Sequence, residues 1–383
     1  MRPVKPKKKA RVMIVVGTRP EAIKMAPVIH EFRARDGSCD LTVVNTAQHR
    51  QLVDEVFSLY GIVPSVDLNI MEDNQTLGLV FSKASAALDR VFQEHRPDIL
   101  LIQGDTGTVF IAALMAFYRK IDVGHVEAGL RTSDIHNPFP EEINRRLTSE
   151  LATLHFAPTQ RAKENLLREG HPETTIFVTG NPVIDTLLKA VQVQFECRNE
   201  LLNSIDYGCQ KLVLVTAHRR ENHGKPLADI CEAILELSKL HENVVFVYPV
   251  HPNPNVKGPV EEVLSGRERV FLVDPLDYMT FVHLMKKSYV ILTDSGGIQE
   301  EAPTIGKPVL VLRETTERPE ALEVGAAKLV GTDTQRIVRE VTALLRNRED
   351  YEKMVVSENP FGDGGASQRI ADIVLARYAA AGD

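Results

Sequence analysis

Val12-Met-Ile-Val-Val-Gly-Thr-Arg-Pro-Glu-Ala-Ile-Lys24 is the stretch on which the fold turns. Val12–Val16 is a short, unbroken apolar run rich in β-branched residues, the pattern of a strand buried on both faces. Gly17 ends it, and an amphipathic stretch from Pro20 to Arg35 follows. That is strand, turn, helix. The alternation continues through strands at Leu41–Val44, Ile99–Ile102, Val123–Val126, His155–Ala157 and Ile176–Val178, with helices over Gln48–Tyr60, Gln75–His95 and Thr108–Arg119. It restarts at Leu212–Val215, followed by a helix over Pro226–Leu240 and strands at Val244–Val247, Val270–Val273, Val290–Leu292 and Val309–Leu312. Doubly apolar strands alternating with helices predict parallel sheets covered on each side, and two such series predict two Rossmann-like, doubly wound α/β domains. The boundary is expected near Gly180-Asn-Pro182. Residues 11–182 then form the first domain and residues 183–365 the second. Residues 366–383 are a terminal helix packing back on the first domain, and residues 1–10 a basic arm. The segment Leu187–Tyr207 lacks strands and reads as a helical linker.

Composition narrows the function. A net charge of −7 argues against a general nucleic-acid surface, and the absence of Trp removes a main stacking platform for single strands. Cys39, Cys197, Cys209 and Cys231 form no C-x-x-C pair and no metal-ligand spacing with a histidine, which suits a reduced, cytoplasmic protein. No apolar run reaches membrane-spanning length. The basic start, Met1-Arg-Pro-Val-Lys-Pro-Lys-Lys-Lys-Ala10, has no apolar core of a secretory signal; it reads as a solvated arm, with membrane or nucleic-acid contact as the alternative.

Ligands of doubly wound sheets sit at the strand C-termini, which two facing domains turn toward one cleft. Four post-strand turns matter. In Gly17-Thr-Arg-Pro-Glu-Ala-Ile-Lys24, Arg19 sits at a helix start that favours an anion, with Lys24 one turn on; the alternative is an ordinary turn capped by Glu21. In Gln103-Gly-Asp-Thr-Gly-Thr108, Asp105 either faces the cleft or caps the helix. After Leu212–Val215, His218, Arg219 and Arg220 either reach a diphosphate or form a charged surface loop. After Val290–Leu292, Ser295-Gly-Gly297 can cradle a phosphate with backbone N–H groups and a hydroxyl, Glu301 lies two turns into the helix, and Arg318 follows the next strand. A fifth segment, Pro138-Phe-Pro-Glu-Glu-Ile-Asn-Arg-Arg146, starts a helix at Glu141 and by i, i+4 spacing sets Arg145 beside Glu141. It is either a proton-transfer cluster beside a phosphate or a surface ion-pair helix.

Six ordered motifs carry a resemblance: Gly17–Pro27, His125-Val-Glu-Ala-Gly-Leu-Arg-Thr132, Pro138–Arg146, His218-Arg-Arg-Glu221, Asp294–Pro303 and Thr315-Thr-Glu-Arg-Pro-Glu320. Together they resemble the non-hydrolysing UDP-N-acetylglucosamine 2-epimerases, from about Val12 to the final helix. The resemblance implies a GT-B-type fold with a cleft between its two domains, interconversion of UDP-GlcNAc and UDP-ManNAc, a homodimer, and no metal or nicotinamide cofactor. By matching position it implies nucleotide-sugar contacts at Arg19, Lys24, His218, Phe281, Ser295, Gly296, Gly297, Glu301 and Arg318. It implies catalytic acids at Asp105, Glu127 and Glu141, with Arg145 and His218 beside the chemistry. It also implies a regulatory second UDP-GlcNAc at Gln48-His49-Arg50 and His251. The chain departs from the family where His-Gly-Asp-Thr-Thr-Thr becomes Gln103–Thr108, where Leu276 replaces a uracil-contacting Gln, and at Pro252.

The implied chemistry is stepwise. UDP is eliminated as the C2 proton leaves, giving 2-acetamidoglucal, and then adds back after reprotonation on the other face, so one carboxylate accepts while another donates. Rival functions are an epimerase of a modified UDP-HexNAc such as a 3-acetamido uronate, a hydrolysing epimerase, a GT-B glycosyltransferase and a non-enzymatic nucleotide-sugar sensor. The expected role is supply of ManNAc units to cell-surface polysaccharide.

Overall fold

Val12, Ile14 and Val16 enter one apolar core, while Met13 and Val15 enter another on the opposite face of the same strand. A strand needs that two-sided burial to sit at the centre of a covered parallel sheet. The computed structural model describes residues 9–48, 50–71, 75–132, 134–136 and 138–379. The predicted basic arm, apart from its last two residues, lies outside them, as does His49.

The first unit holds seven parallel strands in the order β3-β2-β1-β4-β5-β6-β7. They are β1 (Ala10–Val16), β2 (Cys39–Asn45), β3 (Val66–Asp67), β4 (Ile99–Gln103), β5 (Asp122–Val126), β6 (Leu154–Ala157) and β7 (Ile176–Val178). Its helices are α1 (Arg19–Arg33), α2 (Arg50–Leu59), α3 (Leu77–His95), α4 (Gly107–Tyr118), α5 (Glu141–Leu151), α6 (Gln160–Arg168) and the start of α7 (Pro182–Ala190). The second unit holds six parallel strands in the order β10-β9-β8-β11-β12-β13. They are β8 (Lys211–Thr216), β9 (Val244–Pro249), β10 (Val270–Val273), β11 (Ser288–Thr293), β12 (Val309–Val311) and β13 (Ala327–Leu329). Its helices are α8 (Glu200–Asn203), α9 (Lys225–Leu240), α10 (Pro254–Leu264), α11 (Tyr278–Lys287), α12 (Gly296–Glu301), α13 (Pro319–Glu323), α14 (Thr334–Arg346) and α15 (Arg348–Lys353). Counted within each sheet, both orders begin 3-2-1-4-5-6. That is the Rossmann order, and two such units in one chain make a GT-B-type fold. The strand order reverses between β1 and β4 in one sheet and between β8 and β11 in the other. Those switch points are where such sheets take ligands.

The chain passes from the first unit to the second after Thr186, inside α7, and returns at Phe361. The final helix α16 (Ala366–Tyr378) puts Ile370, Ala371 and Val374 into the core under α1. Helix α1 contains Pro27, which has no N–H to give the Ile23 carbonyl. The hydroxyl of Thr186 donates to that carbonyl at 2.7 Å, so α7 repairs the helix it packs against. The four cysteines are unpaired, with Cys39 and Cys231 buried. Among the described residues, no helix is long and apolar enough to cross a membrane.

Candidate active site

At the first switch point the chain turns sharply after β1. A Cβ on Gly17 would stand 2.4 Å from Thr46 Oγ1, so only glycine fits. Thr18 and Glu21 form a capping box at the start of α1. The Glu21 carboxylate is buried; it accepts the Gly17 N–H at 2.7 Å, the Thr18 N–H at 3.3 Å and the Thr106 hydroxyl at 2.8 Å. Burial pushes its pKa above the usual carboxylate value. Of the two readings of this turn, capping by Glu21 is the one present at Gly17 and Thr18. Their N–H groups are already spent, which leaves the side chains of Arg19 and Lys24 as the cationic features of the segment.

The loop after β4 resolves the second pair of alternatives. Thr106, not Asp105, caps α4, accepting the Val109 N–H at 3.3 Å. Asp105 instead takes the Arg145 guanidinium, with Nε at 3.1 Å and Nη2 at 2.5 Å from Oδ2. Asn144 Nδ2 holds the Asp105 carbonyl at 3.0 Å. The predicted i, i+4 pairing of Arg145 with Glu141 is therefore not formed. The Arg145 side chain is only 6% exposed, and Glu142, wholly buried, lies 3.3 Å from its Nη1. The desolvated guanidinium pairs instead with Asp105 and with wholly buried Glu142, where low dielectric strengthens the attraction. Glu142 also accepts the Thr132 N–H at 3.1 Å and Arg146 Nε at 2.7 Å, so it fixes the loop before α5. Among the described residues, the Glu141 side chain makes no hydrogen bond or ion pair. Arg131 pairs with Glu169 through two bonds of 2.7 and 2.8 Å.

Glu127 follows β5 with φ at +65°, a left-handed conformation that costs energy outside glycine and that marks functional turns. Its Oε2 accepts from Lys24 Nζ in a short ion pair, from Gln103 Nε2 at 2.8 Å and from Asn181 Nδ2 at 3.1 Å. Gln103, which stands where the resembled family has His, is thus a ligand of the carboxylate. Neither Gln103 nor Asn181 was among the expected site residues. Beside them His125 is fully buried, with its pKa lowered by desolvation to about 3, so its neutral Nε2–H donates to the Gly104 carbonyl at 2.8 Å. At the Gly107 departure a Cβ would meet nothing within 4 Å, so that position is open space.

The second switch point is built around Asp294. Its wholly buried Oδ2 accepts the N–H groups of His218 and Arg219, both at 2.8 Å, and Asn222 Nδ2 at 3.0 Å. These bonds hold the loop after β8. The His218 ring lies 5.5 Å from that of His251, stacked at 14°. Desolvation lowers the His218 pKa, with Asp294 opposing it. His251, expected to belong to a separate regulatory site, is thus in ring contact with a residue expected at the substrate.

After β11, Ser295 starts α12. A Cβ on Gly296 would stand 3.0 Å from Arg318 Cζ, so the guanidinium lies directly on the glycine. Arg318 is held by Glu300 at 2.7 Å and Glu317 at 3.1 Å. Burial works to raise the Glu317 pKa, but Arg318 and Arg313 outweigh it and hold the group at about 2. Glu301 Oε1 lies over Gly297, 3.6 Å from where its Cβ would be. Half-buried Leu276 lies in the turn between β10 and α11, and half-buried Phe281 on α11 itself.

Of the expected regulatory residues, Gln48 Oε1 accepts from Thr108 Oγ1 at 2.6 Å. The Arg50 guanidinium is committed to Asp67, 2.9 Å to each oxygen, and to Asn69 Oδ1 at 3.0 Å. Among the described residues no group of three or more His, Cys, Asp or Glu is placed to hold a metal ion.

Comparison with known proteins identifies the family. The family model described as UDP-N-acetylglucosamine 2-epimerase matches residues 31–375. The UDP-N-acetylglucosamine 2-epimerase of Escherichia coli K12 is 49% identical over 367 residues, covering 94% of this chain and 97% of that protein. The crystal structure of the Neisseria meningitidis UDP-GlcNAc 2-epimerase bound to UDP-GlcNAc superposes with a TM-score of 0.89 at 48% identity, covering 96% of this chain and all of that one. The Methanocaldococcus jannaschii UDP-GlcNAc 2-epimerase in complex with UDP-GlcNAc and UDP gives 0.80 at 35% identity, covering 96% and 99%. With six motifs, two Rossmann orders and these relatives in agreement, the chain belongs to the UDP-N-acetylglucosamine 2-epimerase family.

Proposed function

We propose that this protein interconverts UDP-GlcNAc and UDP-ManNAc by inverting C2 of the sugar without net hydrolysis. The observation that carries the reading is a pair of carboxylates at neighbouring strand ends, each set against one cation: Asp105 with Arg145 and Glu127 with Lys24. Carboxylates set beside cations are the groups that proton transfer next to a departing diphosphate requires.

A carboxylate takes the C2 proton. The C2–H electron pair becomes the C1=C2 double bond, and the C1–O bond breaks with its pair leaving on UDP. Reprotonation of C2 on the other face and attack of UDP oxygen at C1 complete the inversion. The sequence is redox-neutral, so it consumes no nicotinamide. Asp105, Glu127 and Glu141 move the protons; His218, Ser295, Gly296, Gly297 and Arg318 stabilise the departing diphosphate. Arg19, Lys24, Phe281 and Glu301 complete the nucleotide-sugar contacts. A second UDP-GlcNAc acts as activator at Gln48, His49, Arg50 and His251.

The enzyme works in the cytoplasm and supplies ManNAc units to cell-surface polysaccharide. It works as a homodimer. Support for a second copy comes from α3 and α4, which leave Leu77, Phe117 and Tyr118 exposed at 67%, 57% and 68%.

Proton NMR of UDP-GlcNAc with the enzyme in D2O tests the reaction. The expected product is UDP-ManNAc carrying deuterium at C2. Free ManNAc identifies a hydrolase, and product retaining protium at C2 overturns the elimination.

A further inference from the structure

Asn181 sits where the chain's two crossings between units meet. The chain leaves the first unit after Thr186 and re-enters it at Phe361. The Asn181 N–H donates to the Phe361 carbonyl at 2.7 Å. Gly180 and Gly362 approach so closely that a Cβ on Gly180 would stand 3.2 Å from Gly362 Cα. One turn further on, Asp185 accepts the Ser367 N–H at 2.8 Å and the Ala366 N–H at 3.3 Å. The wholly buried Asn181 side chain then does two separate things. Its Oδ1 accepts the Val183 N–H at 3.3 Å, tying down the start of α7. Its Nδ2 donates to Glu127 Oε2 at 3.1 Å.

With Lys24 and Gln103, Asn181 brings three donors to one oxygen of Glu127. A carboxylate oxygen has two in-plane lone pairs, so Oε2 is fully engaged. We propose that Asn181 is a positioning residue for the reaction. It fixes the Glu127 carboxylate beside Lys24 and Gln103, and it ties that geometry to both chain crossings. The proposal rests on the epimerase reading above. The sequence hides it, because Asn before Pro reads as a turn.

Asn181→Asp separates the two jobs. It keeps the shape and the oxygen that serves Val183, and it turns the donor facing Glu127 into a repelling acceptor. A purely structural Asn181 would tolerate Asp better than Ala. The expected result is the reverse for turnover. Asn181→Asp keeps UDP affinity and KM within about twofold and loses roughly 100-fold in kcat, whereas Asn181→Ala loses roughly tenfold. Deuterium wash-in at C2 falls in parallel with kcat. Asn181→Ser, whose hydroxyl can both accept and donate, recovers turnover above the Ala variant. Wild-type protein is measured first. If it does not epimerise, the functional reading fails and this proposal with it. If it epimerises while Asn181→Asp keeps its kcat, or Asn181→Ser is no better than Ala, the positioning role alone is overturned.

Discussion

Glu21 offers a test that needs no substrate. Its buried carboxylate satisfies two backbone N–H groups and one hydroxyl. Glu21→Ala strands all three, and each buried unsatisfied donor costs about 1–3 kcal/mol, so the loss is about 3–9 kcal/mol before relaxation. For a unit of this size that lowers the melting temperature by roughly 6–36 °C. Glu21→Gln keeps one acceptor oxygen for the N–H groups and turns its amide toward Thr106, whose hydroxyl can accept; its cost is about 1 kcal/mol. The two variants also differ from wild type in pH dependence. Burial raises the native pKa of Glu21 above its unfolded value of 4.5, so the fold favours the neutral acid. That contribution is fully present below pH 4.5 and is lost as pH rises through the native value. The Gln variant has no such proton. Differential scanning calorimetry across pH at constant ionic strength should show the wild-type advantage over Glu21→Gln at its largest in acid and shrinking toward neutrality. An advantage that grows with pH would show that the ionic cap outweighs burial and would refute the reasoning.

Other consequences are as direct. Asp105→Asn, Glu127→Gln and Glu141→Gln should each lower turnover by about 10²–10⁴-fold with UDP binding retained by calorimetry; near-native turnover in any one removes it from the proton carriers. Gly296→Ala places a methyl 3.0 Å from the Arg318 guanidinium and should weaken UDP binding by about tenfold or more while shifting the melting temperature little; unchanged affinity would separate Arg318 from the diphosphate. If a second UDP-GlcNAc activates the enzyme, reaction from pure UDP-ManNAc should start with a lag that a trace of UDP-GlcNAc abolishes, and Gln48→Ala with His251→Ala should remove the lag. Full initial velocity in wild-type protein without UDP-GlcNAc would dispose of the activator.

What could be read in advance was what depends on local pattern. The run Val12–Val16 announces a central strand because both its faces are apolar, and it does feed two cores. Val66–Asp67, a two-residue edge strand, carries no such period and was missed. Glu21 could be anticipated as a cap because Thr18 and Glu21 have the capping-box spacing. The Arg145 pairing could not. Its partner Asp105 is 40 residues away, and helix spacing pointed to Glu141 instead. Asn181 is 54 residues from Glu127, and only the sheet order, which sets the ends of β5 and β7 near each other, brings the two together. His251 was assigned apart from His218 because they lie on different strand ends; parallel pairing of β8 and β9 makes those ends neighbours.

The two sheets solve the same problem in the same way. In each, the loop after the first strand of the Rossmann order carries basic side chains expected near the ligand, Arg19 in one and His218 with Arg219 in the other. In each, a buried carboxylate takes that loop's backbone N–H groups: Glu21 those of Gly17 and Thr18, Asp294 those of His218 and Arg219. Burying an unpaired carboxylate is expensive, and its return is better counted in fixed geometry than in stability. The consequence is chemical. In dinucleotide-binding Rossmann sheets the N–H groups after the first strand hold the pyrophosphate. Here an internal carboxylate already occupies that role twice, so a ligand's phosphates have to be met by side chains or by another turn. The turn at Ser295, Gly296 and Gly297 has an arginine rather than a carboxylate lying on Gly296. Within the second sheet, that difference favours the β11 turn over the loop after β8 as an anion cradle.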